Sequence, residues 1–66
     1  MIDFQKIILH LYGKGYRCGQ ISKYVGAKYK HIGDLARGDV VSPRFHTGMK
    51  IIELHNKVCP EKAIKL

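Results

Sequence analysis

The chain has 66 residues, the length of a single small domain, and its 45% hydrophobic content is too high for an intrinsically disordered protein. Its longest uninterrupted apolar runs have only a few residues, so no segment is expected to span a bilayer. Twelve lysines and arginines against five acidic residues give a net charge of +7, which favours nucleic acid or an anionic membrane surface as the partner. A solvated basic surface without a partner is the alternative.

The first residues, M-I-D-F-Q-K-I-I-L-H, lack a basic leader followed by a long apolar run. We therefore expect no signal peptide, no membrane association and a location in the cytoplasm. Cys18 and Cys59 lie far apart and form no C-x-x-C pair, which favours two reduced thiols over a disulfide.

The sequence shows no pattern typical of a metal site or an enzyme. Its four histidines are His10, His31, His46 and His55. No H-x-x-x-H spacing links them, so we expect no metal. The five carboxylates are scattered and no glycine-rich phosphate loop follows a strand, so we expect no catalytic residue, no cofactor and no small-molecule substrate.

The first predicted helix covers residues 2–12, because its apolar residues recur at steps of three and four and so share one face. Asp3 can cap the start of this helix, and Gly13 ends it at a flexible turn. Tyr16 precedes the next helix and is expected to pack into the core.

The second and third predicted helices cover residues 17–25 and 28–36. Gly26 between them permits the left-handed backbone of a tight turn, and Gly38 ends the third helix. Gly33 weakens the third helix by about 1 kcal/mol relative to Ala. The residues expected to face inward are Ile21, Val25, Ala27, Ile32 and Leu35.

The fourth predicted helix covers residues 44–57, follows Pro43 and carries two apolar stripes. The stripe expected to close the core consists of Phe45, Met49 and Ile52. The second stripe is more than a small core needs and is the candidate dimer surface; it consists of Ile51, Leu54, His55 and Val58, with Ile64 and Leu66 from the tail. The tail, residues 58–66, is expected to form one turn or to fray. Because no strand pattern is present, we expect an all-α domain of four to five helices.

The stretch from Cys18 to Gly38 meets the requirements of a helix-turn-helix, in which two short helices cross at a wide angle. Ser22 is small enough for the crossing point, and Gly26 supplies the turn. Together with a helix on either side and the positive charge, this pattern predicts a DNA-binding domain.

Four segments of the sequence carry a resemblance to a known family. They are I-S-K-Y-V-G-A at 21–27, H-I-G-D-L-A-R-G at 31–38, P-R-F at 43–45 and G-M-K-I-I-E-L-H at 48–55. They resemble the Xre-type helix-turn-helix of lambdoid phage Cro proteins and repressors, and small prophage-encoded regulators. The resemblance implies a lambda repressor-like fold whose third helix enters the major groove with its N-terminal residues leading.

The resemblance also places residues at the DNA. Its groove-facing, base-reading sites correspond to Lys28, Tyr29, Lys30, Gly33 and Asp34. The candidates for contacts with DNA phosphates are Lys14, Arg17, Lys23, His31, Arg37 and Arg44. Cys18 stands where the family usually has a Gln that meets a phosphate, and Arg17 where it often has Thr or Ser, so Arg17 is expected to replace that contact by its charge.

Several of these residues have alternative roles. Lys28 and Lys30 donate either to guanine or to phosphate, and the ring of Tyr29 either meets a thymine methyl or backbone, or covers the core. Asp34 either accepts from cytosine or pairs with Lys30 one turn earlier, and the intramolecular pair is favoured.

We therefore expect a sequence-specific DNA-binding transcriptional regulator, with repression favoured over activation. It would bind a short palindromic operator as a homodimer whose half-sites lie about 34 Å apart. If the second stripe of the fourth helix is core, binding as a monomer is the alternative. The same scaffold could also serve as an antitoxin-like or other protein-interaction module, or as a non-specific architectural DNA binder.

Overall fold

The computed structural model describes residues 2–64, which form four α-helices and one short 3₁₀ turn. The helices are α1 (Phe4–Gly13), α2 (Cys18–Val25), α3 (Tyr29–Arg37) and α4 (Phe45–Val58), and the turn is Pro60–Lys62. Each helix begins and ends within one or two residues of its predicted bounds. The described part of the chain contains no strand, so the all-α fold class is confirmed.

The helix ends follow local rules that the sequence already showed. The Asp3 carboxylate accepts a hydrogen bond from the Lys6 backbone N–H at 3.1 Å and so caps α1. The Gln20 side chain accepts one from the Arg17 N–H at 2.9 Å at the start of α2. Gly26 and Gly38 end α2 and α3 with φ of 74° and 81°, the left-handed region in which a side chain is strained.

The core lies between two pairs of helices. Helices α1 and α2 each pack against both α3 and α4, and the terminal turn packs against α4. The side chains buried there are Ile7, Ile8, Leu11, Ile21, Val25, Ile32, Leu35, Ile51, Ile52 and Leu54. Tyr16 and Ala27 are half-buried against this core, as predicted. Helix α3 is therefore held by the two helices that precede it.

Close approach of α1 to α4 depends on Gly48. A Cβ atom at Gly48 would lie 3.2 Å from the Phe4 ring and 3.3 Å from Pro43.

Two side-chain hydrogen bonds also join exposed edges of neighbouring helices. The Gln5 amide donates to the Ala36 carbonyl at 3.1 Å, and the Tyr24 hydroxyl donates to the Glu53 carboxylate at 3.1 Å.

The two apolar stripes of α4 differ from their predicted positions. Ile51, Leu54 and His55 are fully buried within the chain, whereas Phe45 is 84% exposed and Met49 is also exposed. Only Ile52 of the expected core stripe is buried. Helical spacing shows that two faces exist, but the packing of α1 and α2 selects the face centred on Ile51 and His55.

The predicted dimer surface is therefore wrong at Ile51, Leu54 and His55. Val58 and Ile64 are half-buried against the core, which leaves little of either for a partner. Leu66, the last member of the predicted stripe, lies outside the described residues. With this stripe in the core, the condition stated for the monomer alternative is met, and a dimer of this protein would need another surface.

Matched substitutions on the two faces of α4 test this assignment. We expect Ile51→Val to lower the free energy of unfolding by about 0.5–1.5 kcal/mol, because it removes a buried methyl group. Phe45→Ala should change it by less than about 0.5 kcal/mol, because the ring is largely exposed. Urea unfolding followed by circular dichroism measures both values. A larger loss in Phe45→Ala than in Ile51→Val would contradict the assignment.

Candidate nucleic-acid interface

The outer face of α3 lies opposite its two buried residues, Ile32 and Leu35. Lys30, Asp34 and Arg37 follow one another along this face at steps of four and three residues. Lys30 and Arg37 are exposed on this face, and Asp34 between them is half-buried.

Three of the five predicted base-reading residues lie together at the start of α3. Lys28 is the residue that precedes the first turn, and Tyr29 and Lys30 open the helix. Both lysines are exposed, and Tyr29 is 70% exposed, so its ring does not cover the core. The arrangement presents two ammonium groups and an aromatic ring with a hydroxyl on one exposed surface.

The other two predicted base-reading residues, Gly33 and Asp34, are half-buried next to Arg37. The Arg37 guanidinium donates one hydrogen bond to Asp34 through Nη2 and another to Asp39 through Nε, at 3.1 Å for the latter. The predicted pair of Asp34 with Lys30 is therefore wrong, since Arg37 is the partner. Gly38 turns the chain in the left-handed conformation and brings Asp39 back beside Arg37.

Gly33 provides space for this ion-pair cluster. A Cβ atom at Gly33 would lie 3.1 Å from Nη1 of Arg37. The hydrogen bond with Asp39, together with the charges of both carboxylates, raises the pKa of Arg37 above its already high ordinary value. Arg37 was predicted to contact a phosphate, and in the structure two carboxylates already bind it.

The remaining predicted phosphate contacts fall into two groups. Arg17, directly before α2, and Lys23 within it are exposed, while His31 and Arg44 both line a small cavity of about 150 Å³ between α3 and the start of α4. Ser42 and Thr47 also line this cavity. The first turn of α4 has no side-chain cap, so its backbone N–H groups and positive dipole end add to the cationic character of the second group.

Lys14 forms an ion pair with the terminal turn. Its ammonium group is 3.3 Å from the Glu61 carboxylate in the terminal turn. The pair joins the end of α1 to a turn that packs against α4. The pKa of Glu61 is lowered most by the hydrogen bond of its carboxylate with its own backbone, and next by the hydrogen bond with Lys14. Lys14 is therefore engaged in a surface ion pair, and its contact with DNA stays a prediction.

Cys18 has a structural partner that the sequence did not reveal. Its Sγ lies 2.6 Å from the hydroxyl of Tyr12, so the start of α2 is attached to α1 at this point. Burial, followed by this hydrogen bond, raises the pKa of Tyr12 to about 12. The half-buried thiol of Cys18 is therefore engaged with Tyr12.

A pair of histidines replaces the predicted contact of His55 with a second chain. Nε2 of His55 lies 3.2 Å from Nδ1 of His10, and the rings stack with centroids 5.4 Å apart. One imidazole must stay neutral to accept this hydrogen bond. His55 is completely buried, and Nδ1 of its ring lies 3.4 Å from the Asn56 side-chain oxygen. In the sequence, the only sign of this pair was that His55 lies within an apolar stripe of the fourth helix.

The surroundings of His10 favour its neutral form. Burial lowers the pKa of His10 below 6.5, and the electrostatic influence of Lys62, His55 and Lys6 lowers it further. Glu61 acts in the opposite direction and is the smallest of these influences.

Stability should therefore depend on pH through His10. Unfolded His10 takes up a proton near pH 6.5, and folded His10 does so only at lower pH. The unfolded state then binds more protons just below pH 6.5, and the free energy of unfolding should fall as the pH decreases from about 7 to about 5. Denaturation with urea at successive pH values measures this slope.

Two variants isolate the contribution of His10. His10→Gln keeps a polar group toward His55 and should flatten the slope, whereas His46→Gln replaces an exposed histidine and should retain it. Equal slopes in wild type and His10→Gln would contradict the assigned role of His10.

Residues 2–64 contain no group of three or more His, Cys, Asp or Glu side chains placed to hold a metal ion. Cys18 and Cys59 are not joined to each other. None of the helices in the described part of the chain combines the length and the apolarity that crossing a membrane requires.

Comparison with known proteins gives no match for this chain, whether to a family model, to a curated protein or to a solved structure.

Proposed function

We propose that the chain is a sequence-specific DNA-binding transcriptional regulator of phage or prophage type, which places the start of α3 in the major groove. The observation that carries the proposal is the exposed cluster of Lys28, Tyr29 and Lys30 at the start of a helix held by α1 and α2. The net charge of +7 supports a polyanionic partner.

The chemistry of the cluster suits base edges. An ammonium group can donate to guanine O6 or N7, and the Tyr29 ring can contact a thymine methyl group. Lys30 lies on the outer face of α3, so it is the residue we assign to base contact. Lys28, which precedes the first turn, can reach a base or the adjacent phosphate.

Exposed cationic side chains outside the start of α3 support contacts with the DNA backbone. Arg17 lies directly before α2 and Lys23 lies within it, while His31 and Arg44 line one cavity. Such contacts fix the position of a protein on the duplex and carry no sequence information. Each phosphate neutralised should add nearly one unit to the slope of affinity against salt on logarithmic axes.

Arg37 has a different role in this proposal. By binding Asp34 and Asp39 it offsets two carboxylates that would otherwise repel the phosphates. With one cation against two carboxylates, the end of α3 keeps about one net negative charge, and the start of the helix carries the positive charge.

The regulator would act on a short palindromic operator in the cytoplasm of a bacterial host, on the nucleoid. Two copies would occupy half-sites about 34 Å apart and block access of the polymerase, which makes repression the favoured direction.

Selection of bound sequences from a random DNA pool, at near-physiological salt, tests the proposal directly. An enriched palindrome supports the regulator. Binding without enrichment supports a non-specific architectural role instead, and the absence of any binding points to a protein-interaction module.

Three single-charge variants separate base contact from backbone contact. We expect Lys30→Ala to cost about 1–3 kcal/mol on the preferred sequence and to relax preference at one base pair. Arg44→Ala should weaken all sequences alike, because it removes a backbone contact. Lys57→Ala removes the same charge from the exposed end of α4 and serves as the control. Fluorescence anisotropy on matched and mismatched duplexes measures the affinities, and equal losses on every duplex for Lys30→Ala would contradict its role.

Arg37→Ala tests the ion-pair cluster. The variant leaves Asp34 and Asp39 uncompensated, so DNA affinity should fall more than in Lys57→Ala, by about tenfold or 1.4 kcal/mol, on all sequences. Adding Asp34→Asn to the variant should restore part of the loss. No recovery in the double variant would show that Arg37 acts on the DNA directly.

A further inference from the structure

A cleft of about 530 Å³ lies between α1 and the terminal turn, and we name it the α1 cleft. Its lining residues come from positions 2–10 and 62–64, so it is formed by two segments that are distant in sequence. Its volume lies in the range of about 300–1,000 Å³ that is typical of ligand pockets. None of the residues assigned to DNA lines this cleft, so a ligand bound there would serve a separate purpose.

The α1 cleft has a largely apolar lining. It is provided by Ile7, which is buried, and by Ile2 and Ile64, which are half-buried. Asn56 on α4 fixes the position of Ile64. Its Nδ2 donates to the Ile64 carbonyl at 2.8 Å, and its Oδ1 accepts from the Ile64 backbone N–H at 2.7 Å. The cleft is therefore a formed part of the fold and offers space for an apolar group.

The α1 cleft also contains charged groups that are not balanced within it. Lys6 and Lys62 are exposed, and neither belongs to an ion pair within residues 2–64. The carboxylate of Asp3 accepts the backbone N–H of Lys6 as the cap of α1. Two ammonium groups against one carboxylate leave one positive charge, which a single negative charge balances. Both lysines lower the pKa of His10, so their charges converge near its ring.

Hydrogen bonds behind His10 determine which of its nitrogens is left for a ligand. Because Ile64 fixes the Asn56 amide, Oδ1 is the Asn56 atom that faces Nδ1 of His55, and this nitrogen therefore carries a proton. Nε2 of His55 then accepts the hydrogen bond from Nδ1 of His10. Nε2 of His10 has no hydrogen-bond partner within residues 2–64, so it can take up a proton beside an anion without disturbing the pair.

We infer that the α1 cleft binds a small amphipathic monoanion, in which one carboxylate is attached to an alkyl chain or an aromatic ring. The carboxylate lies near the ammonium groups of Lys6 and Lys62, and the apolar body contacts Ile2, Ile7 and Ile64. Apolar walls with a few convergent polar groups are the usual composition of a small-molecule site. A DNA phosphate has no such apolar body, so this ligand class is distinct from the partner of α3.

Titration of the isotope-labelled protein with octanoate, followed by NMR below the micelle-forming concentration, tests the inference. The shift changes should saturate and should concentrate in α1 and the terminal turn. Octanol lacks the charge, octylammonium has the opposite charge and acetate lacks the apolar body. Each of these three should therefore bind at least about tenfold more weakly than octanoate.

A matched pair of double variants tests the role of the two lysines. Lys6→Gln/Lys62→Gln removes two exposed ammonium groups from the cleft and should weaken octanoate binding by about tenfold. Lys50→Gln/Lys57→Gln removes the same charge from α4, which contributes no residue to the cleft, and should bind octanoate like wild type. Circular dichroism confirms that both variants are folded.

The imidazole of His10 provides a local measurement. A carboxylate near Lys6 and Lys62 offsets their charges and stabilises the protonated ring. Octanoate should therefore raise the pKa of His10, followed through its ring protons, and should leave the pKa of the exposed His46 unchanged. An equal change at both histidines would show general binding to a basic surface and would contradict the inference.

Any of three other results overturns the inference. The first is the absence of saturable binding with both octanoate and phenylacetate, which carry an alkyl and an aromatic body. The second is equal binding of octanol and octanoate, and the third is equal binding by the two double variants. Because these experiments contain no DNA, their failure leaves the proposed regulator untouched, and a failure to bind DNA leaves this site untouched.

Discussion

Helix α3 is attached to the domain by two fully buried side chains, Ile32 and Leu35, and the exposure of its outer face depends on them. A chain of this size has one small core, so a nine-residue helix can bury only a narrow stripe there. The hydrogen bond from Gln5 to the Ala36 carbonyl adds a second attachment at the end of the helix. The side chains on the outer face of α3 therefore project from a short helix that the core holds in place.

Charge is distributed unevenly along that face. The start of α3 carries Lys28 and Lys30, which have no acidic neighbour among the ion pairs of residues 2–64. At the end of the helix, Arg37 is bound by Asp34 and Asp39. A helix with this charge distribution attracts a polyanion only at its N-terminal end. Contact between α3 and a polyanion is therefore favoured at that end. The positive end of the helix dipole lies at the same end and acts in the same direction.

Much of the fold could be predicted because its signals are local. Helical spacing, the Asp3 cap and the turns at Gly26 and Gly38 each depend on residues close in sequence. The choice between the two stripes of α4 depends on which face meets α1 and α2. The pairing of His10 with His55 likewise joins residues that are distant in sequence, and Asp39 reaches Arg37 only through the geometry of the Gly38 turn. At the candidate site, the exposed start of α3 followed from sequence, whereas the partners of Asp34 and Cys18 did not.

The ion pair between Arg37 and Asp39 also affects the loop between α3 and α4. Asp39 is bound to α3 by its carboxylate and is followed directly by Val40 and Val41, which are both exposed. Because both partners of the pair are themselves exposed, water screens their attraction and the pair contributes little to stability. The start of this loop is thus attached to the last turn of α3 by a contact that breaks at little cost in free energy.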